Sequence, residues 1–288
     1  MKQEERRRFL IEELLRERPS CRRQEIPEDA DRQKVLLRSL MNVRHPGAVS
    51  QEFLEVQDAY LQGELEAKKI TRLSELSPVQ EGIYLWRGDI TALECGAIVN
   101  AANSGMTGCY QPCHNCIDNC IHTYAGVQLR LKCARIMEQQ GHEESAGQAK
   151  ITPAYNLPCN YVIHTVGPIV EGELTRQHCE RLKSCYRSCL ELADENGVGS
   201  IAFCCISTGV FMFPGEKAAE IAVGTVQEYR AETGSKIEVV FNVFKEQDER
   251  IYRKLLCADG TAETGTGGGG CGLGRRWRRA VGLRRTYL

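Results

Sequence analysis

AIVNAANSGMTGCYQPCHNCIDNCIH, residues 97–122, decides how the chain folds. It opens as a short apolar run, passes through an Asn-Ala-Ala-Asn-Ser-Gly loop, and ends in a helical pattern rich in Cys and His. An apolar run of this length without alternation suits a strand buried on both faces. Four similar runs occur elsewhere: IYLWRGDI (83–90), YVIHTVG (161–167), SIAFCCIS (200–207) and EVVFNVF (238–244). Between them lie segments with helical spacing at 116–139, 174–197 and 215–234, and a last one at 247–256. The second stops at Asn196-Gly197 and the third at Gly234, normal helix ends. Strand–helix alternation predicts an α/β protein, a three-layer α/β/α sandwich around a mixed, largely parallel sheet.

Residues 1–75 differ. FLIEELLRE, VLLRSLMNV and EFLEVQDAYLQGEL place apolar residues three and four apart, as amphipathic helices do, and Pro19, Pro27 and Pro46 separate them. We expect an N-terminal helical extension packed on the main domain, which spans 76–258. Residues 259–288 hold eight glycines between 260 and 274, then arginine-rich sequence. That tail cannot bury a core and is expected to be disordered. Its GTGGGGCG only superficially matches a nucleotide-binding loop, because no strand leads into it.

Composition narrows the class. The formal net charge is −1 over 288 residues, and the tail contributes +4 from six arginines and two acids, leaving −5 on the rest. No basic face suggests nucleic-acid binding. No run of eighteen apolar residues suggests a membrane span, and MKQEERRRFL lacks the apolar core of a secretory signal. A cytoplasmic monomer with reduced thiols is therefore expected, and most of the fifteen cysteines read as small core residues.

Three loops leave strand ends with useful chemistry. They are Gly88-Asp89-Ile90-Thr91, Asn100 to Gly105, and Ser207 to Pro214. In an open α/β sheet, ligands bind at the carboxyl ends of strands. A Ser-Thr-Gly turn before a helix offers N–H groups to phosphate. Within 109–122 stand four cysteines and two histidines. Zinc takes four such ligands in structural sites, and three plus water in catalytic ones. Cys109, Cys113, His114 and Cys116 would close a four-ligand site; spacing alone leaves both arrangements open.

GDIT, then IVNAAN, then IH-x-x-AG, AKITPAYNLPCNYVIHTVGP and ISTGVFMFP resemble the macrodomain family in that order. CYQPCHNCIDN replaces the usual glycine-rich loop and Val-Asp-Gly helix start. That departure, with the helical extension, is similar to the zinc-dependent macrodomains, known as protein-ADP-ribose hydrolases. The resemblance implies roles. Asp89 would contact the adenine amine, supported by the Ile90 backbone. Ser207, Thr208, Gly209, Val210 and Phe211 would surround the diphosphate and distal ribose, with Met212 where many macrodomains have Gly. Asn103 would face the distal ribose. Cys109, His114 and Cys116 would bind one Zn2+ with an open fourth position. Asp118, at the Val-Asp-Gly acid, would orient or deprotonate the attacking water; its other reading is an acid at a helix N-terminus. Cys113, Cys120 and His122 would stand outside the ligand set.

The expected activity is zinc-dependent removal of mono-ADP-ribose from protein side chains, through an Asp or Glu ester, releasing ADP-ribose. A non-catalytic ADP-ribose reader with a structural zinc is the alternative. The partners are then ADP-ribose and a mono-ADP-ribosylated protein.

Overall fold

The computed structural model describes residues 1–18 and 24–258. The expected tail 259–288 and the break at Pro19 lie outside the described residues.

The apolar stripes of the first region bury one another. α1 (Gln3–Arg16), α2 (Ala30–Val43) and α3 (Gln51–Glu66) enclose Leu10, Ile11, Leu14, Leu37, Leu40, Met41, Phe53 and Leu61. Asp29 and Ser50 cap α2 and α3 by accepting from the N–H of Arg32 and Phe53, each satisfying an otherwise orphaned donor. Val127 completes this cluster, although it comes from the main domain.

The main domain is a seven-stranded sheet in the order β2-β3-β9-β8-β5-β7-β6. The strands are β2 (Pro78–Gln80), β3 (Ile83–Arg87), β5 (Ala97–Ala102), β6 (Ala149–Pro153), β7 (Tyr161–Val166), β8 (Ser200–Phe203) and β9 (Glu238–Val243). The four inner ladders are parallel, and β2 and β6 run antiparallel at the two edges. A separate two-stranded ladder joins β1 (Thr71–Arg72) to β4 (Leu93–Glu94). One face carries α6 (Arg176–Glu195), α7 (Gly215–Thr233) and α8 (Glu246–Ala258), packed side by side. The other carries α4 (Ile117–Ala125) and α5 (Val127–Gln140), with α2 packed on α4. No described helix is long and apolar enough to cross a membrane.

Two details depart from the sequence pattern. The continuous helix expected over 116–139 is broken at Gly126, which sits at φ +95. A Cβ there would approach within 2.6 Å of the Gln57 and Gln128 side chains, so a bend and a close approach share one glycine. The edge strands β2 and β6 had no strand signal of their own; Pro78 and Pro153 stand in them, tolerable only at an edge.

Parallel strands bring their carboxyl ends to one end of the sheet. The loops after β3, β5 and β8 therefore gather there, with β5 at the position where the strand order reverses between β8 and β7.

Candidate active site

β5 is buried through Asn100, a fully buried amide in an otherwise apolar strand. Burying it requires partners. Its Nδ2 donates to Asp118 Oδ1 at 2.8 Å and lies 3.1 Å from His164 Nδ1. His164 Nε2 meets Thr152 Oγ1 at 3.0 Å. Burial pushes His164 down to about 3, so this imidazole is neutral.

Asn103, just past β5, shapes the next turn. Its Oδ1 accepts from Gly105 N–H at 3.0 Å, and its Nδ2 donates to the Gly108 carbonyl at 3.2 Å and faces Asp118 Oδ2 at 3.4 Å. Asp118 lies in the first turn of α4, where a carboxylate is favoured. Burial raises it to about 6; the bond from Asn100 and the charge of Arg130 pull the other way.

The loop between these groups brings Cys109, His114 and Cys116 together. Their ligand atoms lie within 4.8 Å of one another, and Cys109 Sγ stands 3.6 Å from His114 Nδ1. Tetrahedral zinc with ordinary bond lengths holds a sulfur and a nitrogen about 3.6 Å apart. The donor set thus fits zinc in type and spacing. Burial pushes the Cys116 thiol up to about 12, and its sulfur caps α4 by accepting from Asn119 N–H at 3.4 Å. Cys113 falls outside the trio, its thiol donating to the Val35 carbonyl at 3.5 Å. Cys120 also lies apart, 3.6 Å from Arg38 Nη2. Among the described residues a second group, His122, Cys133 and His164, is wholly buried. His164 already has partners on both ring nitrogens, which marks that group as core. His122 Nε2 is 3.6 Å from Asp118 Oδ1, and burial holds its ring neutral.

The loop after β8 leaves the same end of the sheet. Ser207 and Met212 both take left-handed φ, +64 and +54, a conformation that costs an ordinary residue about 1–2 kcal/mol and clusters at binding sites. The loop is closed by Phe213 N–H donating to the Ser207 carbonyl at 3.0 Å and Met212 N–H to the Gly209 carbonyl at 3.1 Å. The N–H groups of Gly209, Val210 and Phe211 find no acceptor among the described residues and precede α7, an arrangement suited to an anion. Thr208 bonds back to the Cys205 carbonyl at 3.0 Å.

At the far end, Asp89 Oδ1 accepts from Thr91 N–H and Oγ1, at 3.0 and 2.6 Å. Its other oxygen faces Lys68 Nζ at 3.4 Å, and Lys68 lies over the Tyr124 ring. The Ile90 N–H is unoccupied in the same sense as those of the β8 loop.

Several contributors escaped sequence reasoning. Asn119 is fully buried and donates to the carbonyls of Cys109 and Gln111, at 3.4 and 3.0 Å, bracing the ligand loop from within. Arg130 Nη1 donates to the carbonyls of Met41, Asn42 and Arg44, closing the end of α2. The adjacency of Asn119 to Asp118 in Ile-Asp-Asn was the one available hint.

Comparison with known proteins agrees with this geometry. The Macro domain family model matches residues 99–222. A protein-ADP-ribose hydrolase of Treponema medium is 63% identical over 260 residues, spanning 89% of this chain and all of the relative. One from Staphylococcus aureus (strain MSSA476) is 49% identical over 253 residues, spanning 87% and 95%. Among solved structures, the Trypanosoma brucei macrodomain in complex with ADP-ribose superposes with TM-score 0.60 at 30% identity, covering 80% of this chain and 97% of that one. The Oceanobacillus iheyensis macrodomain with ADP gives 0.57 at 34% identity, covering 64% and 94%. With fold, strand-end loops and relatives in agreement, the chain belongs to the macro domain family.

Proposed function

We propose that this chain is a zinc-dependent protein-ADP-ribosyl hydrolase that removes mono-ADP-ribose from protein side chains, an Asp or Glu ester being the favoured linkage. One observation carries the reading: three ligand atoms close enough together to hold one zinc ion occupy the loop between the β5 end and α4. The names of the two bacterial relatives support the reaction class.

The chain's own groups divide the work. Asp89 and the Ile90 N–H receive the adenine. The N–H groups of Gly209, Val210 and Phe211, aided by the dipole of α7, hold the diphosphate. Asn103 faces the distal ribose, and its amide holds the turn that leads to Cys109. Asp118, fixed by Asn100 and Asn103, orients the water that attacks the distal ribose linkage. Cys109, His114 and Cys116 would hold the metal, leaving its fourth position to substrate or water. When bound, zinc supplies a Lewis acid that polarises an oxygen or lowers the pKa of a water. Residues 1–75 act as a helical extension to a macrodomain at 76–258, with 259–288 as a tail.

The test is release of ADP-ribose from a mono-ADP-ribosylated protein. Chelation or Cys109→Ala should abolish release, and zinc should restore it to the chelated protein only. Full turnover in metal-free protein sinks the zinc reading. Tight ADP-ribose binding without turnover of any linkage makes the chain a reader instead.

A further inference from the structure

The loop that carries Cys109, His114 and Cys116 does not hold itself in place. Its outer side rests on α2, an element of the N-terminal extension. Arg38 and Asn42 are four residues apart and share one side of α2, and His45 follows just past the end of that helix. Each engages the loop. Arg38 Nη2 donates to the His114 carbonyl at 2.8 Å, to Asn119 Oδ1 at 3.1 Å, and reaches Cys120 Sγ at 3.6 Å. Asn42 Oδ1 accepts from Cys113 N–H at 2.9 Å, while its Nδ2 donates to Thr123 Oγ1 on α4 at 2.8 Å. The His45 ring stacks on Tyr110 at 5.2 Å, and the Arg130 guanidinium lies over the same Tyr110 ring at 4.4 Å.

These contacts fall where the ligand geometry is decided. The Asn42 bond fixes the Pro112–Cys113 peptide, one residue ahead of His114, and the Arg38 bond fixes the carbonyl of His114 itself, two residues ahead of Cys116. Cys113 sits at φ +53, a left-handed conformation that a non-glycine residue leaves unless its surroundings hold it. Asn42, only 1% exposed, holds the Cys113 N–H, and the Val35 carbonyl of the same helix accepts from the Cys113 thiol. Arg38 also orients Asn119, which in turn binds the Cys109 and Gln111 carbonyls. All three ligands are thus tied, within a few bonds, to one side of α2.

We propose that Arg38 and Asn42 are positioning residues of the metal centre, so that the N-terminal extension is a working part of it; this rests on the zinc reading above. Neither side chain is among the groups assigned to substrate above. They set the mutual positions of Cys109, His114 and Cys116 before any ion arrives.

The experiment measures zinc affinity by chelator competition, and the melting temperature with and without zinc, on full-length Arg38→Ala, Asn42→Ala, Arg38→Lys and Gln33→Ala. Gln33→Ala is the control: it removes α2 bonds to Arg7 and to the Pro27 carbonyl, neither of them a residue of the loop. Arg38→Ala and Asn42→Ala should each weaken zinc binding about 10- to 100-fold, the usual effect of losing groups that orient metal ligands. They should lose most of the zinc-induced rise in melting temperature. Arg38→Lys, which keeps a cationic donor, should recover part of the affinity. Gln33→Ala should lower the melting temperature and leave zinc affinity unchanged. If either alanine variant fails to fold, Asn42→Ser, too short to reach Cys113 N–H, is read against the same control. An effect on zinc affinity no larger than that of Gln33→Ala overturns the proposal. Failure of the zinc reading looks different, because the wild-type protein itself would then hold no zinc.

Discussion

Gly108 precedes the first ligand, and its replacement by alanine puts a defined load on the site. The residue sits at φ +87. A Cβ added there would lie 2.8 Å from the His122 ring and 3.2 Å from Arg130 Nη2. A left-handed alanine costs about 1–2 kcal/mol. Overpacking against a buried ring that cannot withdraw costs about 1–3 kcal/mol more. Gly108→Ala should therefore cost about 2–5 kcal/mol in total. Where it appears depends on which part yields. If the loop yields, the fold keeps its stability, and zinc affinity falls about tenfold for each 1.4 kcal/mol, or about 30- to 4,000-fold. If His122 yields, the loss appears as a lower urea midpoint of the metal-free protein. Chelator competition and urea unfolding on the same preparation partition the two, and ADP-ribose release should follow the zinc term. Gly199→Ala is the reference, since that position has open space and an ordinary backbone. A Gly108→Ala protein with unchanged zinc affinity and unchanged urea midpoint would refute the reasoning.

Other outcomes follow from the same geometry. Cys113→Gly should bind zinc as tightly as the wild type, because glycine takes left-handed φ without penalty and the thiol lies outside the trio; a large loss in the competition assay would return Cys113 to the ligand set. Leu10→Ala, at a fully buried position in the extension core, should cost about 2–5 kcal/mol in urea unfolding. It should do so in one transition, since Arg130 joins α2 to α5; a separate early transition would show the extension unfolding alone. His164 has a folded-state value of about 3 against 6.5 in the unfolded chain, so between those values only the unfolded state takes up the proton. Its contribution to stability is unaffected above pH 6.5 and falls by about 1.4 kcal/mol per pH unit below it, about 2 kcal/mol by pH 5. Ring resonances of His164 in the metal-free protein should stay in the neutral form at pH 5, and titration there would contradict the burial argument. Asp118→Asn should depress turnover strongly while zinc stoichiometry stays near one, checked by metal analysis beside the release assay.

Much of this architecture is legible in local pattern. The apolar runs at 97–102, 161–166, 200–203 and 238–243 are strands because both of their faces are covered, and uninterrupted hydrophobicity reports that. The loops at their carboxyl ends were readable because Gly-Asp, Asn-Ala-Ala-Asn and Ser-Thr-Gly serve backbone purposes that few other residues serve. The density of Cys and His at 109–122 was visible although spacing alone left the ligand set open, and the structure brings Cys109, His114 and Cys116 together and leaves Cys113 aside. The bend at Gly126 was hidden, because helical periodicity continues through it and its cause is a side chain more than sixty residues upstream, Gln57. The same holds for Arg38, Asn42 and Arg130. An arginine or asparagine on an amphipathic helix looks like a solvated position. Only the tertiary fold reveals that Arg38 and Asn42 bind a loop some seventy residues further on, and that Arg130 reaches back to the end of α2. Local propensity carries no trace of such pairings.

Val127 belongs by sequence to the macrodomain and by packing to the extension's core. That single residue, with Arg130 one turn later, makes the boundary near residue 75 a boundary in the chain only. Engineering must respect it. Cutting the chain there would leave an apolar step on α5 facing water, and grafting residues 109–120 onto a macrodomain that lacks three such helices would transfer the ligands without the surface that arranges them. Modularity in this protein stops one helix short of where the sequence draws the line.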